Sequence, residues 1–348
     1  MSKKVFLITG GCGFIGSALI RKLLLDDDNI VINIDKLTYA SNQSSIENKE
    51  NDNYVFYQAD IINNNFLEEI FSKYEFDYVI HLAAESHVDR SIDSPESFIM
   101  TNILGTYHLL NNSYNYWKSI STKKRDSFRF LLVSTDEVYG SLEPNEEKFN
   151  EETQYRPNSP YAASKASADH LARSWYKTYN FPVIVTNTSN NYGNWQFPEK
   201  LIPLVISKCL SHKDIPIYGS GQQIRDWIHV DDHVDGLLFS IKKGLIGQKY
   251  NIGANNELTN LNVVNNICDI LDKLKPLDGK NYSDLIKFVD DRPGHDVRYA
   301  IDSSKILKLG WKSNILWDKG IEETVIWYLN NLEFLGKNHT KDYKGERL

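Results

Sequence analysis

A tyrosine and a lysine stand four residues apart in the run Tyr161-Ala-Ala-Ser-Lys165. Residues at this spacing share one face of a helix, so the Tyr161 phenol is expected beside the Lys165 ammonium group. A nearby cation stabilises phenolate and lowers the pKa of a phenol. The pair would therefore make Tyr161 a base that can take the proton of a hydroxyl group while that carbon is oxidised.

A second group of reactive residues, Thr135, Asp136 and Glu137, directly follows an apolar run at 130–133. Parallel sheets build their sites at the carboxyl ends of such strands. Adjacent carboxylates also occur in solvated turns, but here they would serve as separate acid and base if their environments set their pKa values apart. Alcohol oxidation needs only Tyr161 and Lys165, so an added acid–base pair indicates a second reaction, such as elimination of water.

A glycine-rich loop at 9–16 supplies Gly10, Gly13 and Gly16 between the first expected strand and helix. Such glycines allow a tight turn and a close approach to a pyrophosphate, which the helix N-terminus then binds. Asp35 stands nineteen residues beyond Gly16, where an acidic residue accepts from the ribose hydroxyls. We predict NAD binding, because Asp35 would repel the 2′-phosphate of NADP; the neighbouring Lys36 would soften that preference.

The elements that must position these residues follow from alternating apolar and amphipathic segments. Strands are expected at 5–8, 31–34, 54–57, 78–82, 130–133 and 183–186, and helices at 17–25, 94–116 and 161–179. This alternation predicts an α/β fold, a Rossmann-type doubly wound parallel sheet with helices on both faces.

The chain is long enough for two domains, and turn-forming residues become dense after about residue 188. We predict an NAD-binding Rossmann domain over residues 1–187 and a smaller C-terminal α/β substrate domain over 188–336, with some chain exchange between them. Residues 337–348 would form a polar tail.

Composition excludes several classes of protein. The net charge of −7 argues against non-specific nucleic-acid binding. The three cysteines are few, odd in number and widely spaced, so we expect neither a disulfide framework nor a metal site. No apolar run is long enough to cross a membrane and no signal peptide is evident, which favours a cytoplasmic protein. The segments 94–116 and 161–179 carry more apolar and aromatic residues than one sheet face needs, which predicts a homodimer through a helix bundle.

At these residues the chain resembles the dTDP-glucose 4,6-dehydratases, which are extended short-chain dehydrogenases/reductases. The most specific shared motif is Thr135-Asp136-Glu137, because the related UDP-hexose 4-epimerases keep the glycines, tyrosine and lysine but lack the acidic pair. The other matching stretches are 81–90, 189–193, 196–201, 225–227 and 291–295.

The resemblance implies two sets of contacts. Those to NAD involve the loop glycines with Phe14, Ile15, Asp35, Lys36, Leu37, Thr38, Asp60, Ile61, Leu82, Ala83, Ala84, Glu85, Ser86, Thr101, Tyr161, Lys165 and Asn191. Those to the nucleotide-sugar substrate involve Ser86, Thr135, Asn190, Lys200, Leu201, Pro216, Ile217, Tyr218, Arg225, Asn256, Asp291, Arg292, Pro293, Gly294 and His295. Lys200, Arg225 and Arg292 are suitable partners for a diphosphate, and Tyr218 offers a flat face near a base.

The resemblance also implies a reaction sequence. Tyr161 takes the proton of the hydroxyl on hexose carbon 4 while a hydride passes to NAD. Glu137 then removes the acidified proton of carbon 5, and Asp136 protonates the hydroxyl that leaves carbon 6. The hydride returns to carbon 6, so the product is a 4-keto-6-deoxy sugar nucleotide and NAD is regenerated in place.

Three alternatives stay open from the sequence. A UDP-glucose 4,6-dehydratase or a UDP-hexose 4-epimerase would share most of these motifs, although the run 87–90, His-Val-Asp-Arg, favours the dTDP family. The third is a non-catalytic NAD-sensing regulator. Such proteins usually lose the tyrosine–lysine pair, which this chain keeps.

Overall fold

The structure is a computed structural model that describes residues 3–47, 49–291 and 294–336. The predicted substrate contacts Arg292 and Pro293, and the predicted tail at 337–348, lie outside the described residues. Within the described ranges, no helix is both long enough and apolar enough to cross a membrane.

The described strands are β1 Lys4–Thr9, β2 Asn29–Asp35, β3 Tyr54–Gln58, β4 Tyr78–His81, β5 Arg129–Thr135, β6 Val183–Thr188, β7 Asn190–Tyr192, β8 Ile215–Tyr218, β9 Ile224–His229, β10 Lys249–Ile252, β11 Glu257–Thr259, β12 Ile286–Val289 and β13 Arg298–Tyr299. Seven of them form one sheet in the order β10-β6-β5-β4-β1-β2-β3, and every pairing in that sheet is parallel. Each strand predicted from the sequence is present, and the predicted doubly wound fold is confirmed.

The described helices are α1 Phe14–Leu23, α2 Asn64–Lys73, α3 Val88–Asp93, α4 Pro95–Phe98, α5 Thr106–Ser119, α6 Thr122–Ser127, α7 Pro160–Tyr179, α8 Leu201–Leu210, α9 Val230–Lys243, α10 Asn260–Leu274, α11 Ser304–Lys308, α12 Trp317–Asn330 and α13 Leu332–Gly336. Short 3₁₀ turns span Gln43–Ser45, Asp136–Tyr139 and Tyr282–Leu285. Leu19 of α1 and Val234 of α9 belong to the core on one face of the large sheet, whereas Leu67, Leu109 and Ala168 of α2, α5 and α7 belong to the core on the other. Strands covered on both faces need apolar residues at successive positions, as in β5, which is buried along almost its whole length.

The segment predicted as one helix over 94–116 is divided in the structure. Ser94 leaves helical geometry because it precedes Pro95, which disfavours the α conformation in the residue before it. After α4 the backbone runs as a π-helix over Ile99–Gly105 before α5 begins. The π-helix contains Asn102, whose side chain accepts from the Glu85 amide at 2.8 Å and donates to the Ser164 hydroxyl at 2.8 Å. Such segments occur frequently at functional sites.

The later part of the chain builds a smaller unit beside the large sheet. Strand β9 pairs with β7, β11 and β13, while β8 pairs with β12. Trp227 and Val263 pack there in a core with residues of α8, α10 and α12. The division predicted at residue 188 stays a prediction, but β10 joins the large sheet beside β6, and α9 contacts α1. Residues beyond 188 therefore complete the part of the fold that is built on the large sheet.

Candidate active site

A cleft of about 320 Å³ opens at the carboxyl ends of β1, β2, β4 and β5. This is where the strand order reverses, the position at which open α/β sheets bind ligands. The predicted site residues that line it are Gly10, Gly13, Phe14, Ile15, Gly16, Asp35, Lys36, Thr38, Asp60, Ile61, Leu82, Ala83, Ala84, Glu85, Ser86, Thr101, Thr135, Asp136, Glu137, Tyr161, Lys165, Asn190, Asn191 and Lys200. Most of the residues predicted from the sequence therefore line one continuous surface.

The glycine loop has the geometry that a bound diphosphate requires. Gly10 has a φ of +74°, and a Cβ there would lie 2.6 Å from the Ala83 nitrogen. A Cβ on Gly16 would lie 2.2 Å from the Gly10 carbonyl oxygen, so this glycine allows the helix to pack on the loop. Helix α1 starts at Phe14 with no side-chain cap from Gly13, so it presents backbone N–H groups at the cleft.

Asp35 is buried at the end of β2 and joins the loop to the segment after that strand. Its Oδ2 atom accepts from the Cys12 amide at 2.9 Å, and its Oδ1 atom accepts from the Leu37 amide at 2.8 Å and the Ser41 hydroxyl at 2.9 Å. Leu37 itself has a φ of +58° and packs against the core, and it is not among the residues lining the cleft. The Asp35 carboxylate therefore holds the glycine loop and the segment after β2 in place, and it also lines the cleft.

Lys36 has acidic neighbours, which limit how far it can favour NADP. Its ammonium lies 3.2 Å from Glu85 Oε1 and 3.6 Å from Asp60 Oδ2, and it donates to the Thr101 hydroxyl at 3.2 Å. A lysine engaged by two carboxylates is poorly placed to attract a 2′-phosphate. The charge of Asp35 is therefore expected to decide the preference for NAD over NADP at this end of the cleft.

We expect Asp35→Ala to weaken NAD binding and to relax discrimination against NADP, because the ribose loses an acceptor and a 2′-phosphate loses a repelling charge. Asp35→Asn is the matched control, since it keeps an acceptor but removes the charge. It should relax discrimination with a smaller loss of NAD affinity. Titration of both cofactors by fluorescence tests this, and unchanged affinities in the alanine variant would refute the role of Asp35.

Lys165 is a buried ammonium group held at the end of β5. Its Nζ donates to the Val133 carbonyl oxygen at 2.8 Å. Burial lowers the pKa of Lys165 to about 8, and the negative charge of Asp169, one helical turn further along α7, opposes that shift. The lysine therefore changes charge within the range of pH in which enzymes are assayed.

Tyr161 lies one turn before Lys165 on α7 and is also buried. Burial, followed by the charge of Glu137, raises the pKa of the Tyr161 phenol, while a hydrogen bond with the Thr135 side chain lowers it. The direction is opposite to the one expected from the sequence, because desolvation and the neighbouring carboxylates outweigh the Thr135 hydrogen bond. Further positive charge in the cleft would be needed to favour the phenolate.

Asp136 lies 2% exposed at the start of the 3₁₀ turn after β5. Burial raises its pKa well above the usual range; the charges of Glu137 and Asp226 add to that rise, whereas Arg225 opposes it. Its Oδ1 atom accepts from the Thr135 hydroxyl at 3.3 Å. A carboxyl group whose surroundings favour the protonated form is suited to act as an acid, and Glu137 beside it is less buried.

Several predicted substrate residues lie outside the lining of this cleft: Leu201, Pro216, Ile217, Tyr218, Arg225, Asn256, Asp291, Gly294 and His295. Leu201 begins α8 directly after Lys200. Pairing of β8 with β12 brings Tyr218 near the segment after β12. The ring of His295 lies 6.0 Å from that of Tyr218, and its Nδ1 atom lies 2.6 Å from Asp291 Oδ1. Tyr218, Asp291 and His295 therefore form one group despite their separation in the chain.

The residues around β9 lie close to Asp136, which is predicted to be catalytic. The Arg225 guanidinium lies 4.2 Å from the centre of the Tyr299 ring, and the Asn256 amide donates to Asp226 Oδ1 at 2.6 Å. Because the charges of Arg225 and Asp226 both act on the pKa of Asp136, β9 brings the predicted diphosphate ligand Arg225 toward the reaction centre.

Sequence reasoning missed other parts of the cleft wall. The additional lining residues are Ile34, Ala40, Ser41, Ala59, Val133, Ser134, Thr188, Ser189, Gln196, Phe197 and Glu199. Three of them, Gln196, Phe197 and Glu199, lie in the stretch 196–201, which resembles the family. Within that stretch, only Lys200 and Leu201 were predicted to contact the substrate. Asp226 was not predicted either. Nothing in the sequence around this strand residue indicates that it lies near Asp136 in the folded protein. Within the described ranges, no group of three or more His, Cys, Asp or Glu residues could hold a metal ion.

Comparison with known proteins agrees with this geometry. A family model described as GDP-mannose 4,6 dehydratase matches residues 7–324. The dTDP-glucose 4,6-dehydratase of Haemophilus influenzae is 54% identical over 330 residues, which cover 93% of this chain and 98% of that protein. The crystal structure of a dTDP-glucose 4,6-dehydratase from Streptomyces venezuelae, solved with NAD bound, has a TM-score of 0.86 at 38% identity and covers 95% of this chain and 98% of that one.

A UDP-glucose 4-epimerase from Thermotoga maritima has a similar fold but a more distant sequence. Its TM-score is 0.82 at 27% identity, with 94% of this chain and 99% of that one covered. The fold is therefore shared with epimerases, whereas the high sequence identity is shared with dehydratases. The chain belongs to the dTDP-glucose 4,6-dehydratase family of extended short-chain dehydrogenases/reductases.

Proposed function

We propose that this protein is an NAD-dependent hydro-lyase that converts dTDP-glucose to dTDP-4-keto-6-deoxyglucose. The observation that carries the proposal is the buried Asp136 carboxyl group, whose raised pKa favours its acid form, next to Glu137 and in the same cleft as Tyr161 and Lys165. An oxidation would use only the last two. The acidic pair supplies the acid and the base of an elimination.

The residues of the cleft fit NAD. The close approach of Gly10 to Ala83 leaves room for backbone but not for a side chain, and the uncapped start of α1 offers N–H groups to phosphates. Asp35 offers a carboxylate to the ribose. When bound, NAD would accept a hydride from carbon 4, return it to carbon 6, and contribute a positive ring that favours the Tyr161 phenolate.

The protein's own residues then carry the protons. Tyr161 takes the proton from the hydroxyl on carbon 4, and Lys165 supports the phenolate by its charge. Glu137 removes the proton of carbon 5, which the adjacent ketone acidifies, and carbon 5 regains a proton when the hydride is added at carbon 6. Asp136 gives its proton to the hydroxyl group that leaves carbon 6. Burial of Asp136 favours this donation, because it stabilises the protonated carboxyl group relative to the carboxylate.

The substrate is proposed to extend from this centre toward β8 and β9. Lys200 and Arg225 would bind the diphosphate, and Tyr218 would lie against the base. The high identity to curated dTDP-glucose 4,6-dehydratases supports dTDP over UDP. The presence of both the acidic pair and the tyrosine–lysine pair weighs against an epimerase and against a non-catalytic NAD-sensing protein.

Incubation with dTDP-glucose or UDP-glucose, followed by alkali, tests the proposal through the absorbance of the 4-keto-6-deoxy product. We expect product from dTDP-glucose and a lower kcat/KM with UDP-glucose. Formation of the carbon 4 epimer without any keto product would contradict the proposal.

We also propose that the protein is a homodimer. Ile99, Met100, Tyr107 and Tyr179, in the π-helix, α5 and α7, are large apolar or aromatic residues with exposed fractions of 53%, 38%, 39% and 43%. Tyr107 packs edge-on against Trp175 at 6.0 Å between ring centres, so α5 and α7 present one continuous surface. Pairing of two such surfaces would form a helix bundle and bury this patch.

The double variant Ile99→Glu/Tyr107→Glu should convert a dimer to a monomer, because dimerisation would have to bury two carboxylates in each subunit. Light scattering at micromolar concentration measures the mass. Leu25→Glu is the control, since Leu25 is 75% exposed at the end of α1, away from this surface, and should leave the dimer intact. A wild-type monomer would refute the proposal.

A cytoplasmic location is part of the same proposal. All three cysteines, Cys12, Cys209 and Cys268, are buried free thiols, as suits a protein of a reducing compartment.

A further inference from the structure

Four side chains form a cluster beside the cleft, which Glu199 lines: Tyr39, His87, Arg90 and Glu199, here called the Glu199 cluster. The Tyr39 hydroxyl donates to Glu199 Oε1 at 2.9 Å. Arg90 Nε lies 3.6 Å and His87 Nε2 3.7 Å from Glu199 Oε2. The Arg90 guanidinium also stacks on Tyr39, 3.7 Å from the ring centre. The Glu199 side chain is only 12% exposed, so these contacts form where water screens them weakly.

The cluster joins segments that belong to different walls of the cleft. Tyr39 follows β2, and its neighbours Thr38 and Ala40 line the cleft. His87 and Arg90 follow β4, and Glu199 lies on the segment between β7 and α8.

Two further contacts join the same three segments of the chain. The ring of Phe197 meets that of Tyr39 edge-on at 5.5 Å between ring centres. The Lys200 ammonium donates to the Ser86 carbonyl oxygen at 3.2 Å. Phe197, Glu199 and Lys200 all line the cleft, so these contacts join the segment 196–200 to the segments that follow β2 and β4 in the cleft wall.

Contacts that hold these segments of the cleft wall together would slow the turnover of an ordinary dehydrogenase, because such an enzyme must exchange its cofactor in every turnover. The proposed reaction is redox-neutral, because the electrons taken from carbon 4 return to carbon 6 of the same sugar. The cofactor therefore never needs to leave, and only the sugar nucleotide must enter and depart. A contact that obstructs cofactor exchange does not slow such an enzyme.

We infer that the Glu199 cluster retains NAD in the cleft from one turnover to the next, with Glu199 as the positioning residue that holds the 196–200 segment in place. The inference rests on the proposed function, since it takes NAD as the occupant of the cleft. Release of the cofactor requires the ion pair with Arg90 and the hydrogen bond with Tyr39 to break together.

The test measures how fast protein-bound NAD exchanges with excess isotope-labelled NAD, by mass spectrometry of the bound fraction, in the purified holoenzyme. Glu199→Gln removes the charge that Arg90 and His87 face, and should speed exchange roughly ten- to a hundredfold, as expected for loss of a buried charged contact. Tyr39→Phe removes only the hydroxyl and should speed it about tenfold. Because both act on one cluster, the double variant should exchange less rapidly than the product of the two effects implies.

Tyr57→Phe is the matched control. It removes a hydroxyl on β3 that bonds with the Tyr74 hydroxyl and accepts from the Lys73 ammonium group. Tyr57 does not line the cleft, so NAD exchange should equal that of the wild type. Thermal melting of each variant distinguishes a loss of folding from faster release of NAD by a folded protein. If Glu199→Gln does not fold, exchange in Tyr39→Phe alone tests the inference.

Exchange in Tyr39→Phe and Glu199→Gln within twofold of the wild type would overturn the inference. So would wild-type exchange as fast as turnover. The outcome is distinct from failure of the proposed function, which would appear as a wild-type protein that binds no NAD or does not dehydrate dTDP-glucose.

Discussion

Glu137→Gln should bind the nucleotide sugar but stop exchange of the carbon 5 proton with deuterium from solvent, whereas Asp136→Asn should keep that exchange and lose most of the water elimination. The difference arises because the two carboxyl groups act on different atoms. The structure adds a reason for this division of roles, since burial and two acidic neighbours raise the pKa of Asp136 and so favour its acid form. Removal of one positioned acid or base costs a factor of about 10² to 10⁴ in rate.

Mass spectrometry of recovered substrate measures the exchange, and the absorbance of the alkaline product measures the elimination. Glu143→Gln is the control, because it makes the same change at an exposed carboxylate shortly after the 3₁₀ turn and should turn over at the wild-type rate. Wild-type turnover in both Asp136→Asn and Glu137→Gln would mean that these residues form only a turn. The protein would then be better described as an epimerase or a plain dehydrogenase.

Tyr161→Phe should suppress the oxidation at carbon 4 by a factor of about 10² to 10⁴, and with it every later step, because no ketone forms to acidify carbon 5. Lys165 should give the same step a characteristic pH dependence. A lysine is charged below its pKa, and burial lowers that of Lys165 to about 8. As the pH rises through this value, Tyr161 loses the cation that supports its phenolate, so the oxidation rate should fall.

Single-turnover formation of reduced nicotinamide, followed by absorbance across this pH range, measures both effects. Lys165→Met should be slow throughout and should lack the decline near the pKa of the lysine. Rapid oxidation by Tyr161→Phe would exclude Tyr161 as the base, and an unaltered decline in Lys165→Met would assign the pH dependence to another group.

The large sheet and the nucleotide loop could be predicted because their signals are local. A glycine at position 10 is needed where φ is +74° and a Cβ would contact the Ala83 backbone, and that requirement is visible as a glycine in the sequence. Runs of apolar residues such as 130–133 indicate strands buried on both faces. The spacing of Tyr161 and Lys165 puts both on one face of α7, whatever the helix packs against.

Other features were not predictable, because they depend on which distant segments meet. The π-helix at Ile99–Gly105 contains Asn102, whose side chain accepts a hydrogen bond from the distant Glu85 amide. Local helix propensity does not register such a contact, so it predicted a continuous α-helix. The Glu199 cluster joins segments that follow three different strands, and none of its members is marked by its immediate neighbours.

The sequence by itself determined the doubly wound sheet, the glycine loop with Asp35, and the identity of the reactive side chains. Only the tertiary structure decided their protonation. Burial raises the pKa of both Tyr161 and Asp136 and lowers that of Lys165, and β9 brings Asp226 and Arg225 to act on Asp136. The physical reason is that residue type and spacing fix backbone geometry locally, whereas the energy of a charge depends on the water excluded and the other charges brought near when remote parts of the chain pack together.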